Sequence, residues 1–219
     1  MVLAFRTAMI AAAMTATQSL LSFLLAAAVL TVTPGLDTAL VLRTAAADGA
    51  RAAAEAACGV VVGCLLWGGA VAIGLGALLA GSAWAFAVVK WAGAAYLVWT
   101  GASMLLRPRN RFPAGAGSAP ARALPFAQGV LQNLLNPKVG AFYLSFLPQF
   151  VPHASAVAPW AFLLACLHAA MGLLWLMALI LSTRPLAQWL RRPAVVRRAD
   201  RAAGCVFLAF GAKLALSRR

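Results

Sequence analysis

Apolar residues in this chain gather into six runs, at about 20–42, 57–80, 84–106, 126–150, 157–182 and 202–217. Crossing the hydrocarbon of a bilayer takes roughly 20 apolar residues in a helix. Buried backbone amides find no water at that depth, so runs of this length are read as transmembrane helices. The composition agrees: 64% of the 219 residues are hydrophobic and 10% charged, more apolar surface than a soluble domain of this size can hide. The fold expected is all-α: a polytopic membrane protein of about six transmembrane helices. Five spans is the alternative, because the last run is short and carries Lys213.

A formal charge of +14 on a soluble chain would point to nucleic acid. Here the partner is the lipid bilayer and no nucleic acid is expected, because the cations sit between the runs. Twelve arginines occupy the stretches 43–55, 107–125 and 184–201, and neither of the other two loops carries Lys or Arg. Positive charge stays cytoplasmic, so these three basic loops are expected in the cytoplasm and both termini outside, although Arg218 and Arg219 oppose this. Residues 1–18 read as an N-terminal tail outside the native domain, with Met14 as the natural start. Residues 19–217 form one transmembrane domain: a first repeat over about 19–106, a basic linker over 107–125 and a second repeat over 126–217.

Three spans on each side of a polar linker make two inverted three-helix repeats, since an odd number of spans reverses the second half. Each half opens with a helix interrupted by proline. Pro34-Gly35 lies inside the first run and Pro137 inside the fourth. Proline lacks the N–H of the helix ladder and clashes with the preceding turn, and glycine tolerates dihedrals that other residues avoid. Paired helix breaks at corresponding places point to a carrier with a central site. Asp37 follows the first break; a carboxylate at that depth costs on the order of 3 kcal/mol. Lys138 follows the second. The two form either a fixed ion pair locking the halves or a switchable pair in which Asp37 exchanges a proton or binds a substrate ammonium. Asn136 can donate and accept, suiting a substrate carboxylate or a helix cap. The site residues expected are Pro34, Gly35, Asp37, Asn133, Asn136, Pro137 and Lys138, with Gln132, Thr33 and Thr38 equally suited to satisfying freed backbone groups. His168 reads as a hydrogen-bonded core histidine rather than a proton relay. The four cysteines lie in apolar segments without C-x-x-C spacing and read as packing residues; no metal site and no cofactor is indicated.

Several of these motifs resemble those of the LysE/RhtB family of bacterial amino-acid exporters. Thr33-Pro34-Gly35-Leu36-Asp37 is similar to the family's Pro-Gly-Pro-Asp/Asn signature, with Leu36 in place of the second proline, which implies a milder break. Gly59 and Gly63, then Lys90, Gly93 to Leu97 and Gly101, look like its second and third spans. Asn133, Asn136-Pro137-Lys138 and Leu147-Pro148-Gln149-Phe150 look like its fourth. The resemblance covers about residues 18–217. It implies a multi-pass carrier of the bacterial inner membrane that exports amino acids by proton antiport, with amino acid and protons as partners. It names no solute, and it leaves a homo-oligomer open.

Three other readings carry less. A divalent-metal exporter would need His, Asp and Cys clusters inside the spans. An intramembrane enzyme would need a nucleophile–base pair or a metal motif, and neither H-E-x-x-H nor G-x-S-x-G is present. A structural subunit would have no use for two broken helices with polar centres.

Overall fold

The computed structural model describes residues 15–81, 83–109, 124–152, 155–182, 188–189 and 192–216. Met14, the linker arginines Arg111 and Arg122, the turn residue Ser82 and His153 lie outside them. Among the described residues the chain is helical without strands, an all-α polytopic membrane protein.

Helix α1 (Ala16–Val32) starts on a capping box: Thr15 Oγ1 accepts from the Gln18 amide while Gln18 Oε1 accepts from the Thr15 amide. It stops at Thr33, whose backbone is extended (ψ 117°), as a residue before proline prefers. Helix α2 (Leu36–Ala47) resumes after Pro34-Gly35, bent by 47° from α1. The break is therefore complete despite Leu36. Gly35 itself is extended (φ −129°, ψ −171°), in backbone open to any residue, so proline chemistry rather than glycine freedom interrupts the span.

The loop expected over Arg43–Glu55 is almost entirely helical. Helix α2 runs to Ala47 and α3 (Gly49–Gly81) begins two residues later. The alanines on both sides are the strongest helix formers, and they override the polar residues among them. The turn is made at Gly49, whose φ of +88° is left-handed backbone that favours glycine. Arg51 and Glu55 form an exposed i,i+4 pair on the first turns of α3.

Helix α4 (Ala83–Leu106) leads towards the linker. Helix α5 (Pro125–Leu134) opens on a proline at a position where no N–H is needed. Asn136 is extended before Pro137, so the second break is also present. Helix α6 (Pro137–Ala141) continues into a π-helical turn (Phe142–Phe146) and a 3-10 turn (Leu147–Phe150). The Phe150 carbonyl accepts from Ser19 Oγ and, at 2.8 Å, from Trp160 Nε1. That ties the end of this span to α1 and to α7 (Val157–Leu181).

The basic loop expected over 184–201 is corrected too. Helix α8 (Pro193–Leu216) starts well before residue 202 and carries Asp200 in its interior. Its buried residues Val196, Asp200, Ala203, Gly204, Phe207 and Gly211 fall on one helical face.

By length and apolarity, α3 over Gly49–Gly74 and α7 can each cross a bilayer, and the bent α1–α2 pair qualifies as one span. Helices α4, α5–α6 and α8 occupy the positions expected for spans 3, 4 and 6. Helix α3 packs on α5 and α7, and α4 packs on α8. Glycine brings these backbones together. A Cβ on Gly59 would stand 2.0 Å from the Phe126 carbonyl oxygen, and one on Gly129 2.1 Å from that of Ala56. Gly101 and Gly204 make the same close approach between α4 and α8. Phe23, Phe142, Phe146, Phe150 and Phe210 stack in the core beneath the second break.

Candidate functional site

The two breaks meet at one cavity of about 90 Å³. At roughly 30 Å³ per water in the liquid, this is room for about three waters or part of a small solute. Gly35, Asp37, Asn136 and Lys138 line it, together with Thr31, Thr33, Thr38 and Cys64. Further wall comes from α7, through His168, Gly172, Trp175 and Leu176, from Phe207 of α8, and from the apolar Leu30, Val60, Val139 and Phe142.

Each side chain at the breaks has an assignable task. Thr33 Oγ1 donates to the Val29 carbonyl at 2.6 Å and closes the last turn of α1. Gln132 Nε2 donates to the Leu36 carbonyl, so both residues serve freed or terminal backbone. Asn136 caps α6, its Oδ1 accepting from the Lys138 amide at 3.1 Å. Asn133 is fully buried on α5. Its Nδ2 donates to Asp37 Oδ2 at 3.0 Å and to Cys64 Sγ at 3.4 Å. Asn133 thus supports the carboxylate from behind and does not itself line the cavity. Pro34 is buried at the break, its carbonyl accepting from Arg109 Nη2 at 3.0 Å. Pro137 opens α6.

Asp37 and Lys138 share the cavity, yet neither a hydrogen bond nor an ion pair joins their side chains. The fixed pair considered from the sequence is not formed. Asp37 Oδ1, Thr31 Oγ1 and Trp175 Nε1 are buried polar atoms of cavity-lining residues with no hydrogen-bond partner. A cavity with one carboxylate, one ammonium and further donors and acceptors can hold a dipolar solute by its two ends.

Two features were not legible in advance. Arg109, expected in a solvated linker, embraces Asp200: its backbone amide reaches Oδ2 at 2.9 Å, Nε reaches the two carboxylate oxygens at 2.8 and 3.2 Å, and Nη2 pairs with Oδ1. Asp200 is 1% exposed and Arg109 39%. The same Nη2 holds the Pro34 carbonyl. The second feature is His168. It is hydrogen-bonded through Nδ1 to Tyr143 Oη at 3.0 Å and stacked near Phe142, as expected of a core histidine, but it also lines the cavity.

A family profile described as LysE type translocator matches residues 28–218. The chain belongs to this family. Several relatives align with this LysE type translocator over most of both chains. An uncharacterized membrane protein of Pseudomonas aeruginosa is 35% identical over 190 residues, covering 83% of this chain and 88% of its own. A leucine efflux protein of Klebsiella pneumoniae is 30% identical, covering 89% and 93%. A homoserine/homoserine lactone efflux protein of Salmonella typhi is 28% identical, covering 90% and 96%. No solved structure matches the chain.

Proposed function

We propose that this protein is a secondary transporter of the bacterial inner membrane that exports amino acids by proton antiport, alternating access around the cavity between its two broken helices. The observation that carries the reading is an acid and a base, Asp37 and Lys138, lining one small cavity without pairing with each other. The α-ammonium of an amino acid suits Asp37 and the α-carboxylate suits Lys138, with Asn136 beside it. The efflux names of the Klebsiella and Salmonella relatives support amino-acid cargo.

In this reading the two halves are inverted repeats. The contacts support it: α3 packs on α7 and α4 on α8, so the second and third helices of one half meet their counterparts in the other. The basic ends of the helices face the cytoplasm. Asp37 takes up the inbound proton when the substrate ammonium leaves. A proton moving inward against a neutral zwitterion moving outward transfers one charge, which gains about 2.3 kcal/mol per 100 mV.

Inverted vesicles carrying the purified full chain turn export into uptake. With an imposed proton gradient they are expected to accumulate one or a few labelled amino acids. Asp37→Asn, which keeps the Asn133 contact, is expected to fold and to lose gradient-driven uptake. Uptake by Asp37→Asn at the wild-type rate would overturn the proton role. Failure of folded protein to take up any amino acid would overturn the cargo.

A further inference from the structure

Helix α7 presents a stripe of small residues, Ala161, Ala165 and Ala169, all buried. Packing explains them: a Cβ on Gly68 of α3 would stand 2.2 Å from the Cβ of Ala165. Gly172 continues the run of small residues but has no such reason. A Cβ built on it meets nothing within 4 Å. A glycine inside a helix costs roughly 0.5–1 kcal/mol against alanine, and here no close approach offsets it. Gly172 does line the cavity, one turn from His168 and one turn from Leu176. The missing side chain leaves open space in the wall of the site rather than room for a neighbouring helix.

We propose that Gly172 determines substrate specificity: the space over it receives the substrate side chain and limits its size, and that side chain is uncharged. The inference rests on the cavity being the amino-acid site. Asp37 and Lys138 are the acid and the lysine of the cavity wall, and the α-ammonium and α-carboxylate use both. No carboxylate or lysine of the wall then remains for a charged side chain, and His168 is already engaged with Tyr143. The wall near Gly172 comes from Leu176 and Trp175 and, one turn away, from the His168 imidazole that Tyr143 holds. A bare glycine among them sets the depth available. Each carbon added at position 172 takes that depth from the cargo. One methylene too many in a closely fitting apolar pocket discriminates by about 10–200-fold.

The test uses full-length protein in vesicles with labelled alanine, leucine and lysine, comparing wild type, Gly172→Ala and Gly172→Val. The leucine-to-alanine transport ratio is expected to fall in steps, by about tenfold or more at valine. Wild type is expected to carry no lysine. Gly172→Ala adds one methyl into open space, so it is expected to melt at or above the wild-type temperature and serves as the folded variant should valine disturb assembly. A ratio that stays within twofold across folded variants would overturn the role of Gly172. Lysine carried as fast as leucine would overturn the neutral side chain. Asp37→Asn runs alongside. If it loses alanine transport while the ratio ignores position 172, the specificity inference fails and the site stands. If Asp37→Asn carries alanine normally, the site itself fails.

Discussion

One methyl group added at Gly63 should reach the carboxylate of Asp37 without touching it. Gly63 lies on α3, and its Cβ would stand 2.6 Å from Asn133 Oδ1 and 2.8 Å from Asn133 Cβ. Ordinary contact begins near 3.4 Å, so α5 or the amide must move by about 0.6–0.8 Å. The Cβ contact means that turning the amide alone cannot relieve the clash. Moving Asn133 takes its Nδ2 away from Asp37 Oδ2, a bond now 3.0 Å long. Overpacking of this kind costs about 1–3 kcal/mol of stability. The hydrogen bond to a charged carboxylate is worth about 1.5–3 kcal/mol, or roughly 10–150-fold in rate if it is lost wholly from the transport step. Gly63→Ala should therefore melt several degrees lower and export more slowly than its stability loss explains. Gly69→Ala is the control on the same helix, since a Cβ there meets nothing within 4 Å. The decisive assay is a cycle with Asn133→Ala. The bond to Asp37 is already absent in that background, so Gly63→Ala should slow export much less there. An equal slowing in both backgrounds, or wild-type melting and export in Gly63→Ala, would refute the reasoning.

The ion pair on α8 yields an asymmetry. Arg109→Ala strands a buried carboxylate and should cost about 3–5 kcal/mol, whereas Asp200→Ala leaves a guanidinium that reaches water and should cost about 1–2 kcal/mol; equal melting temperatures for the two variants would contradict the assigned burial. Gly49→Ala forces a side chain into left-handed backbone and should lower stability by about 1–2 kcal/mol without altering the substrate profile, read from thermal melts and competition uptake.

Both breaks were legible because proline acts on its own neighbours. Thr33 and Asn136 turn extended through local sterics that any context would impose. Gly59 and Gly63 stand four residues apart, a spacing that lets helix backbones approach closely, but nothing in it names the partner Phe126. The stretch after Arg43 misled because charged residues mark a loop in a hydropathy profile, while an alanine-rich helix continues through them. The start of α8 was hidden for the same reason. Its buried face at 196, 200, 203, 204, 207 and 211 is periodic in the sequence, but three arginines in the same stretch mask it when hydropathy is averaged. A periodicity scan that ignored mean polarity would have placed Asp200 inside. Nothing local could have matched it to Arg109, 91 residues away, because that pairing is made by the fold.

The guanidinium of Arg109 serves two distant segments, neutralising Asp200 on α8 and holding the carbonyl of Pro34 between α1 and α2. During synthesis the Pro34 kink leaves the ribosome early and α8 late. The first span therefore enters the membrane with its kink unsecured, and the arginine that will hold it waits for a carboxylate not yet made. A chain interrupted before Asp200 carries that arginine without its counter-charge.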